Sequence, residues 1–168
     1  MEPREQQRIF DALDRWASTP EQGLPLDLFR FLSRIMPLIN VDLLITDPQL
    51  GTLLTWRHDE NYGPGWHVPG GIIRYKETAE TRLRLTARTE LDADIEWDEE
   101  PVHIAQSIEP VRRERGHMIS MLYRCRLKSA LPERLRFDPK APAAGQWGWH
   151  RKCPAELIPE QDHYRRFL

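Results

Sequence analysis

The sequence predicts an α/β sandwich, in which a central mixed β-sheet lies between helices and a helical addition precedes it. Apolar residues recur at helical spacing over 5–17, 27–35 and 78–91. Short runs rich in β-branched residues, or alternating in polarity, read as strands at 39–46, 52–57, 102–109 and 117–127. No repeat and no long linker divides the 168 residues, which suffice for one domain with a sizeable core.

In the first helix, Ile9, Phe10, Leu13 and Trp16 share a face. The stretch STPEQGLP follows as a loop. Leu28, Phe29, Leu32 and Ile35 mark a second helix, which Pro37 prevents from continuing. In strand 39–46, Val41, Leu43 and Ile45 face one way and Asp42 and Leu44 the other. Asp47-Pro48-Gln49-Leu50-Gly51 is a turn, so strand 52–57 returns as a hairpin. The segment from His58 to Gly65, with Asn61, Gly63 and Pro64, reads as a loop. Trp66 to Gly71 is a short strand ending in a glycine turn. Helix 78–91 carries Ala79, Leu83, Ala87 and Leu91 as its apolar stripe, with Arg82, Arg84 and Arg88 expected in solvent.

A basic loop, Arg112 to Gly116, joins strands 102–109 and 117–127; its simplest role is a solvated hairpin tip, and its other reading is a grip on phosphate. Residues 128–145 are rich in Pro and Ala and read as irregular. Trp147–His150 is a last strand, and short helices cover 154–158 and 160–167. The chain divides into an N-terminal helical extension, 1–36, and a main domain, 37–168. Apolar faces on the extension suggest packing on the domain or on a second subunit, so a homodimer is expected.

Composition narrows the function classes. Hydrophobic residues at 40% and charged residues at 30% fit a soluble globular protein. A net charge of -2 argues against a protein that coats nucleic acid. No apolar run approaches the ~20 residues needed to span a bilayer, and MEPREQQRIF lacks the apolar stretch of a secretory signal. The expectation is a cytoplasmic protein with neither nucleic acid nor membrane as partner. Cys125 and Cys153 form no close-spaced metal pattern and read as free thiols, with a disulfide left open.

The chemistry concentrates in GGIIRYKETAETRLRLTARTELDA, residues 70–93. A glycine turn lets the backbone approach a ligand and exposes carbonyl oxygens. Hard divalent cations take oxygen ligands, often one or two carboxylates completed by substrate phosphates and water. A glycine carbonyl facing a helix glutamate is therefore suited to holding Mg²⁺ (or Mn²⁺) against a diphosphate.

This segment resembles the Nudix box, whose pattern is Gly, five residues, Glu, seven residues, then Arg-Glu-U-x-Glu-Glu-x-Gly-U with U apolar. Gly71, Glu77 and Glu90 match, Ala87 fills the first apolar slot and Ala93 the last. Leu85 stands at the Arg position, Thr86 and Thr89 at Glu positions, and Asp92 at the Gly position. The reduced box of the GDP-mannose mannosyl hydrolase branch is closer. Pro69-Gly70-Gly71, Lys76-Glu77-Thr78, Arg84-Leu85-Thr86 and Glu90-Leu91 are similar to it. Further similarity runs through Pro37 to Leu44, the strand ending at Arg57, Trp149, and His163 to Phe167.

The resemblance implies a Nudix-like α/β/α sandwich and a set of site residues. Gly70, through its carbonyl, and Glu90 take the metal-ligand positions, with Glu77 beside them as ligand or loop organiser. Asp42 and Arg57 take substrate-contacting positions, with Arg57 against the diphosphate, and His117 takes that of a substrate-facing histidine. Ile72 replaces the arginine that follows the two glycines in the branch. Ala143 and Ala144 occupy the places of the Gln/Glu-His pair that supplies a metal ligand and the general base, a group worth ~10²–10⁴ in rate.

Each residue also has a plainer reading. Alone, Glu90 is an ordinary exposed helix glutamate, and Glu77 favours a helix N-terminus through the dipole. Asp42 suits a structural salt bridge, Arg57 a solvated strand end and His117 a satisfied sheet histidine. His67 and His150 are candidates for the missing base and read more simply as structural. Three functions follow from the resemblance. The first is metal-dependent hydrolysis of a nucleoside-diphosphate sugar or related compound, with attack at the sugar carbon. The second is a nucleoside-diphosphate pyrophosphohydrolase of the ADP-ribose type, attacking phosphorus. The third is a catalytically decayed nucleotide-binding module.

Overall fold

Strand β1 (Leu38–Asp47) organises the fold because both of its edges are paired. The computed structural model describes residues 1–59 and 62–168; Glu60 and Asn61, within the loop expected at 58–65, lie outside the described residues. On one edge β1 runs parallel to β7 (His117–Leu127) over eight consecutive residues, Leu38↔Met118 to Ile45↔Cys125. On the other edge it meets two partners in turn. Strand β2 (Gly51–Arg57) folds back and pairs at Thr46↔Thr52 and Asp47↔Gly51. The turn between them is held by Asp47, whose Oδ1 accepts from the N–H groups of Gln49 and Leu50 at 2.8 and 2.9 Å. Beside residues 40–42, β4 (Gly70–Ile72) takes the place of β2. Gly70 and Gly71, expected as a turn closing the strand from Trp66, thus belong to a strand of their own, Gly70–Ile72.

Beyond the hairpin β2 departs from β1 and joins β3 (Gly65–His67) on one side and β8 (Trp147–His150) on the other. The outer edge of β7 is shared by β6 (His103–Ile108) and β5 (Ile95–Trp97). Strand β5 was not expected; three residues are too few to show an alternation. The result is one mixed eight-stranded sheet that splits where β1 and β2 diverge.

Each face of the sheet is covered by a different element. Helix α3 (Ala79–Thr86) starts at Thr78, whose side chain accepts from the Thr81 N–H. Leu83, Ala87 and Leu91 pack on Val41, Leu43, Ile45, Tyr123 and Cys125. On the opposite face Leu44, Leu54, Trp66, Val68 and Leu122 lie with Tyr164, from the 3₁₀ segment Pro159–Phe167. The side chain of Gln161 binds that segment to the sheet. It accepts from the Val68 N–H at 2.6 Å and donates to the Val68 carbonyl at 3.2 Å. The segment expected as helix 160–167 is therefore 3₁₀, and 154–158 is turn rather than helix. A further 3₁₀ turn, Glu133–Leu135, lies in the stretch read as irregular.

The helix expected over 78–91 changes character partway. It is α-helical to Thr86, then continues as a π-turn, Ala87–Leu91, and stops at Asp92 in the left-handed conformation, φ 49°. Arg82 is a correction: expected in solvent, it is buried and ion-paired. At the N-terminus, α1 (Pro3–Trp16) buries no residue, and its Ile9, Phe10 and Trp16 remain exposed. Helix α2 (Leu26–Leu32) is shorter than the expected 27–35 and seats Leu28 in the interior. Cys125 and Cys153 are free thiols. Among the described residues no helix is long and apolar enough to cross a membrane.

Candidate active site

The split between β1 and β2 opens a cleft with room for about 150 Å³. Asn40 and Asp42 of β1, Arg57 of β2, His67 of β3 and Gly70 of β4 all line it.

The two glycines are required by different neighbours. A Cβ on Gly70 would collide with Oδ1 of Asp42, and one on Gly71 with Oγ1 of Thr86. Gly70 thus lies against a carboxylate, and Gly71 lets α3 pack on the strand. The ladder also sets where the Gly70 carbonyl points. Pro69 accepts from the Leu43 N–H, and the Ile73 N–H donates to Ile39, so residues 69, 71 and 73 bond towards β1. Gly70, between them, directs its carbonyl away from β1.

Asp42 is buried, 2% exposed, in mid-strand. Its Oδ2 accepts from the Tyr164 hydroxyl at 2.7 Å and its Oδ1 from the Asn40 amide at 2.8 Å. Burial pushes its carboxyl from the ordinary 3.8 up to about 7, against the pull of bonds from Tyr164, Asn40 and Ser120. The charge of Glu90 adds to the upward push.

Glu90 sits in the π-turn, the kind of helix irregularity that recurs at functional sites. Its Oε2 lies 3.7 Å from Nε2 of His67. This is no ion pair, because burial lowers the His67 pKa from 6.5 to about 4 and leaves the ring neutral. Nδ1 of His67 is 2.9 Å from the Val68 carbonyl, which can only accept, so Nδ1 carries the hydrogen. Nε2 then faces the Thr55 hydroxyl at 3.0 Å as an acceptor. Burial also raises the Glu90 carboxyl, while the Arg57 charge opposes the rise. Asp42 and Glu90 are thus two carboxylates that sense each other, both made reluctant to ionise by desolvation. Asp42 lies against Gly70 and Glu90 beside His67, and oxygen groups of this kind are the donors that a hard divalent cation takes. Among the described residues no group of three or more His, Cys, Asp or Glu side chains converges on one point.

Arg57 reaches the cleft with Nε bonded to Asp59 Oδ2 at 2.6 Å and its guanidinium 4.5 Å from the Tyr62 ring centre. Glu77 points elsewhere. Arg82 holds its Oε2 and Oε1 through Nε and Nη2, each at 2.8 Å, and the Arg74 N–H donates to Oε2 at 2.9 Å. Glu77 therefore ties the 74–77 turn to α3. His117 lies outside the cleft, on the β6–β7 ladder, with Nε2 2.9 Å from the Gln106 amide nitrogen.

The departures from the box also have places. Thr86 is buried, with Oγ1 lacking a partner among the described residues, and Thr89 bonds back to the Leu85 and Thr86 carbonyls. Ala143 and Ala144 are exposed, in a turn whose Gly145 N–H donates to the Trp56 carbonyl. Sequence reasoning missed the supporting roles of Tyr164, Thr55 and Arg82. The one legible signal was Arg82, five residues after Glu77 and on the first turn of the helix.

From residue 36 to 164 the chain matches the NUDIX domain family model. The Low-salt glycan biosynthesis protein Agl8 of Haloferax volcanii is 34% identical over 79 residues, 47% of this chain and 50% of that protein. The match thus spans about half of that relative's length. A possible asymmetric diadenosine tetraphosphate hydrolase from Jonesia denitrificans superposes with a TM-score of 0.60 at 17% identity, over 79% of this chain and 92% of that one. The MutT NUDIX hydrolase of Burkholderia pseudomallei gives 0.58 at 20% identity, over 78% and 94%. At such identities these structures share the fold; the family model carries the assignment. The chain belongs to the NUDIX family of hydrolases.

Proposed function

We propose that the cleft is the active site of a metal-dependent hydrolase acting on a nucleoside-diphosphate sugar or a related nucleoside diphosphate compound. One observation carries this reading: Gly70, the desolvated carboxyl of Asp42 and the Arg57 guanidinium line one opening, and Glu90 stands behind its wall, 3.7 Å from His67. The Gly70 carbonyl and Glu90 are the residues to hold Mg²⁺ or Mn²⁺. When bound, such an ion neutralises phosphate charge, orients the substrate and assists the leaving group.

The chain's own residues supply the rest. Arg57, steadied by Asp59 and stacked on Tyr62, meets the diphosphate with a forked cation. Asp42, fixed by Tyr164 and Asn40, presents Oδ1 beside Gly70 to a substrate hydroxyl. Neutral His67 accepts from Thr55 and imposes no competing cation on Glu90. Glu77 keeps the turn in place through Arg82.

Thr86 and Thr89 bear no carboxylates, which leaves fewer ligands for a multi-metal cluster of the kind used for attack at phosphorus. This favours attack at the sugar carbon. Hydrolysis in oxygen-18 water places the label on the sugar for attack at carbon and on phosphate for attack at phosphorus. Across a panel of nucleoside-diphosphate sugars with Mg²⁺ or Mn²⁺, Glu90→Gln is expected to lower turnover by about 10²–10³-fold. Unchanged turnover in that variant removes Glu90 from the site. Binding of the panel without turnover by the unaltered chain identifies a decayed binding module instead.

A further inference from the structure

The 109–116 loop between β6 and β7 brings Arg112 and Arg115 to the cleft, where both guanidinium groups gather on the ring of Tyr62. Their centres lie 4.6 and 5.2 Å from the ring centroid, with Arg57 at 4.5 Å. Three like charges around one aromatic ring repel each other unless anions stand between them. Arg57 has Asp59, and Arg112 has Glu160 at 2.7 Å. Arg115 differs: its Nε is buried and has no hydrogen-bond partner among the described residues.

Two features show that Arg115 is held in place. Its backbone is left-handed, φ 55°, a conformation costly for a non-glycine residue and kept only where the surroundings impose it. The surroundings here come from the N-terminal extension. Ser33 Oγ accepts from the Arg115 N–H at 3.2 Å, and the Phe29 ring lies 5.8 Å from its guanidinium centre. The neighbouring Glu114 is gripped by Arg30 and Arg34. The segment that follows α1 thus clamps the loop and aims its arginines.

We propose that Arg115, with Arg112 beside it, forms a second anion subsite in the cleft for a phosphate group of the substrate, and that the Arg30/Arg34–Glu114 clamp positions it. The ligand class is a phosphoanion, because a planar guanidinium with an unused buried N–H suits paired phosphate oxygens. The inference deepens the hydrolase reading and assigns the extension a role in substrate binding.

The test is calorimetric titration of the full metal-free chain with inorganic pyrophosphate, in a buffer free of sulfate and phosphate. Binding by the unaltered chain is expected, weakened by roughly tenfold or more in Arg115→Gln, the size of a lost hydrogen bond to a charged group. Glu114→Ala is expected to weaken binding similarly while its melting temperature stays near that of the unaltered chain, since exposed ion pairs contribute little to stability. Unchanged affinity in Arg115→Gln, or no binding by the unaltered chain, overturns the subsite. Unchanged affinity in Glu114→Ala overturns the clamp. The titration needs neither metal nor turnover, so its failure is distinct from failure of the Glu90 centre.

Discussion

Asp42 shows how one buried carboxyl makes stability depend on pH. Its carboxyl is raised from 3.8 to about 7, so between those values the folded chain keeps a proton that the unfolded chain has lost. Stability therefore falls as pH rises through that window. His67 acts in the opposite sense. It is lowered from 6.5 to about 4, so the unfolded chain binds a proton that the folded one refuses, and stability rises with pH between those values. The raised Glu90 carboxyl adds to the Asp42 slope. Asp42→Asn keeps an acceptor for Asn40 and removes the titration. With metal chelated, denaturation midpoints measured from pH 4 to 7 should show the variant gaining on the unaltered chain steadily as pH rises. A difference independent of pH would mean that Asp42 does not titrate in this range.

At the scale of elements, the 74–77 turn and α3 are joined by one buried ion pair. The side chains of Arg82 and Glu77 are 10% and 9% exposed, so each charge depends on the other. Removing one partner from such a pair costs about 3–5 kcal/mol, whereas replacing both is far milder. Arg82→Met should therefore lower the thermal midpoint strongly, and the double variant Arg82→Met with Glu77→Gln should recover much of the loss. A double-mutant cycle in chemical denaturation measures the coupling; additive losses would show that the two side chains act independently. The π-turn belongs to this scale too. It carries Glu90, and it ends at Asp92 in a left-handed conformation where the family pattern has glycine, the residue without a Cβ penalty there.

Across the whole molecule, the two helices of the N-terminal extension differ in what they bury. Helix α1 seats no residue in the core, whereas α2 inserts Leu28 and, with Ser33 and Arg34, holds the 109–116 loop. Deleting residues 1–19 should leave the thermal midpoint of the chain within a few degrees, because ~1 kcal/mol moves the midpoint of a domain this size by only about 2–4 °C. Leu28→Ala, by contrast, should cost about 2–5 kcal/mol. Scanning calorimetry of both variants checks the contrast, and a large loss from the deletion alone would show that α1 packs on something that matters.

The sequence by itself determined the layered α/β architecture and most of its elements, because the alternation at 41–45 and the stripe Leu83, Ala87 and Leu91 each report which side faces the core. Its motif over residues 70–93 nominated Gly70 and Glu90, and the wider resemblance nominated Arg57, as the site residues proposed above. Only the tertiary structure decided what surrounds them. Tyr164 meets Asp42 across 122 positions of sequence, and Arg34 meets Glu114 across 80. No local period encodes such meetings, which arise when the sheet splits and distant segments close over the opening. The environment of a carboxyl is set by the same closure: burial, not residue type, makes Asp42 reluctant to ionise and His67 neutral.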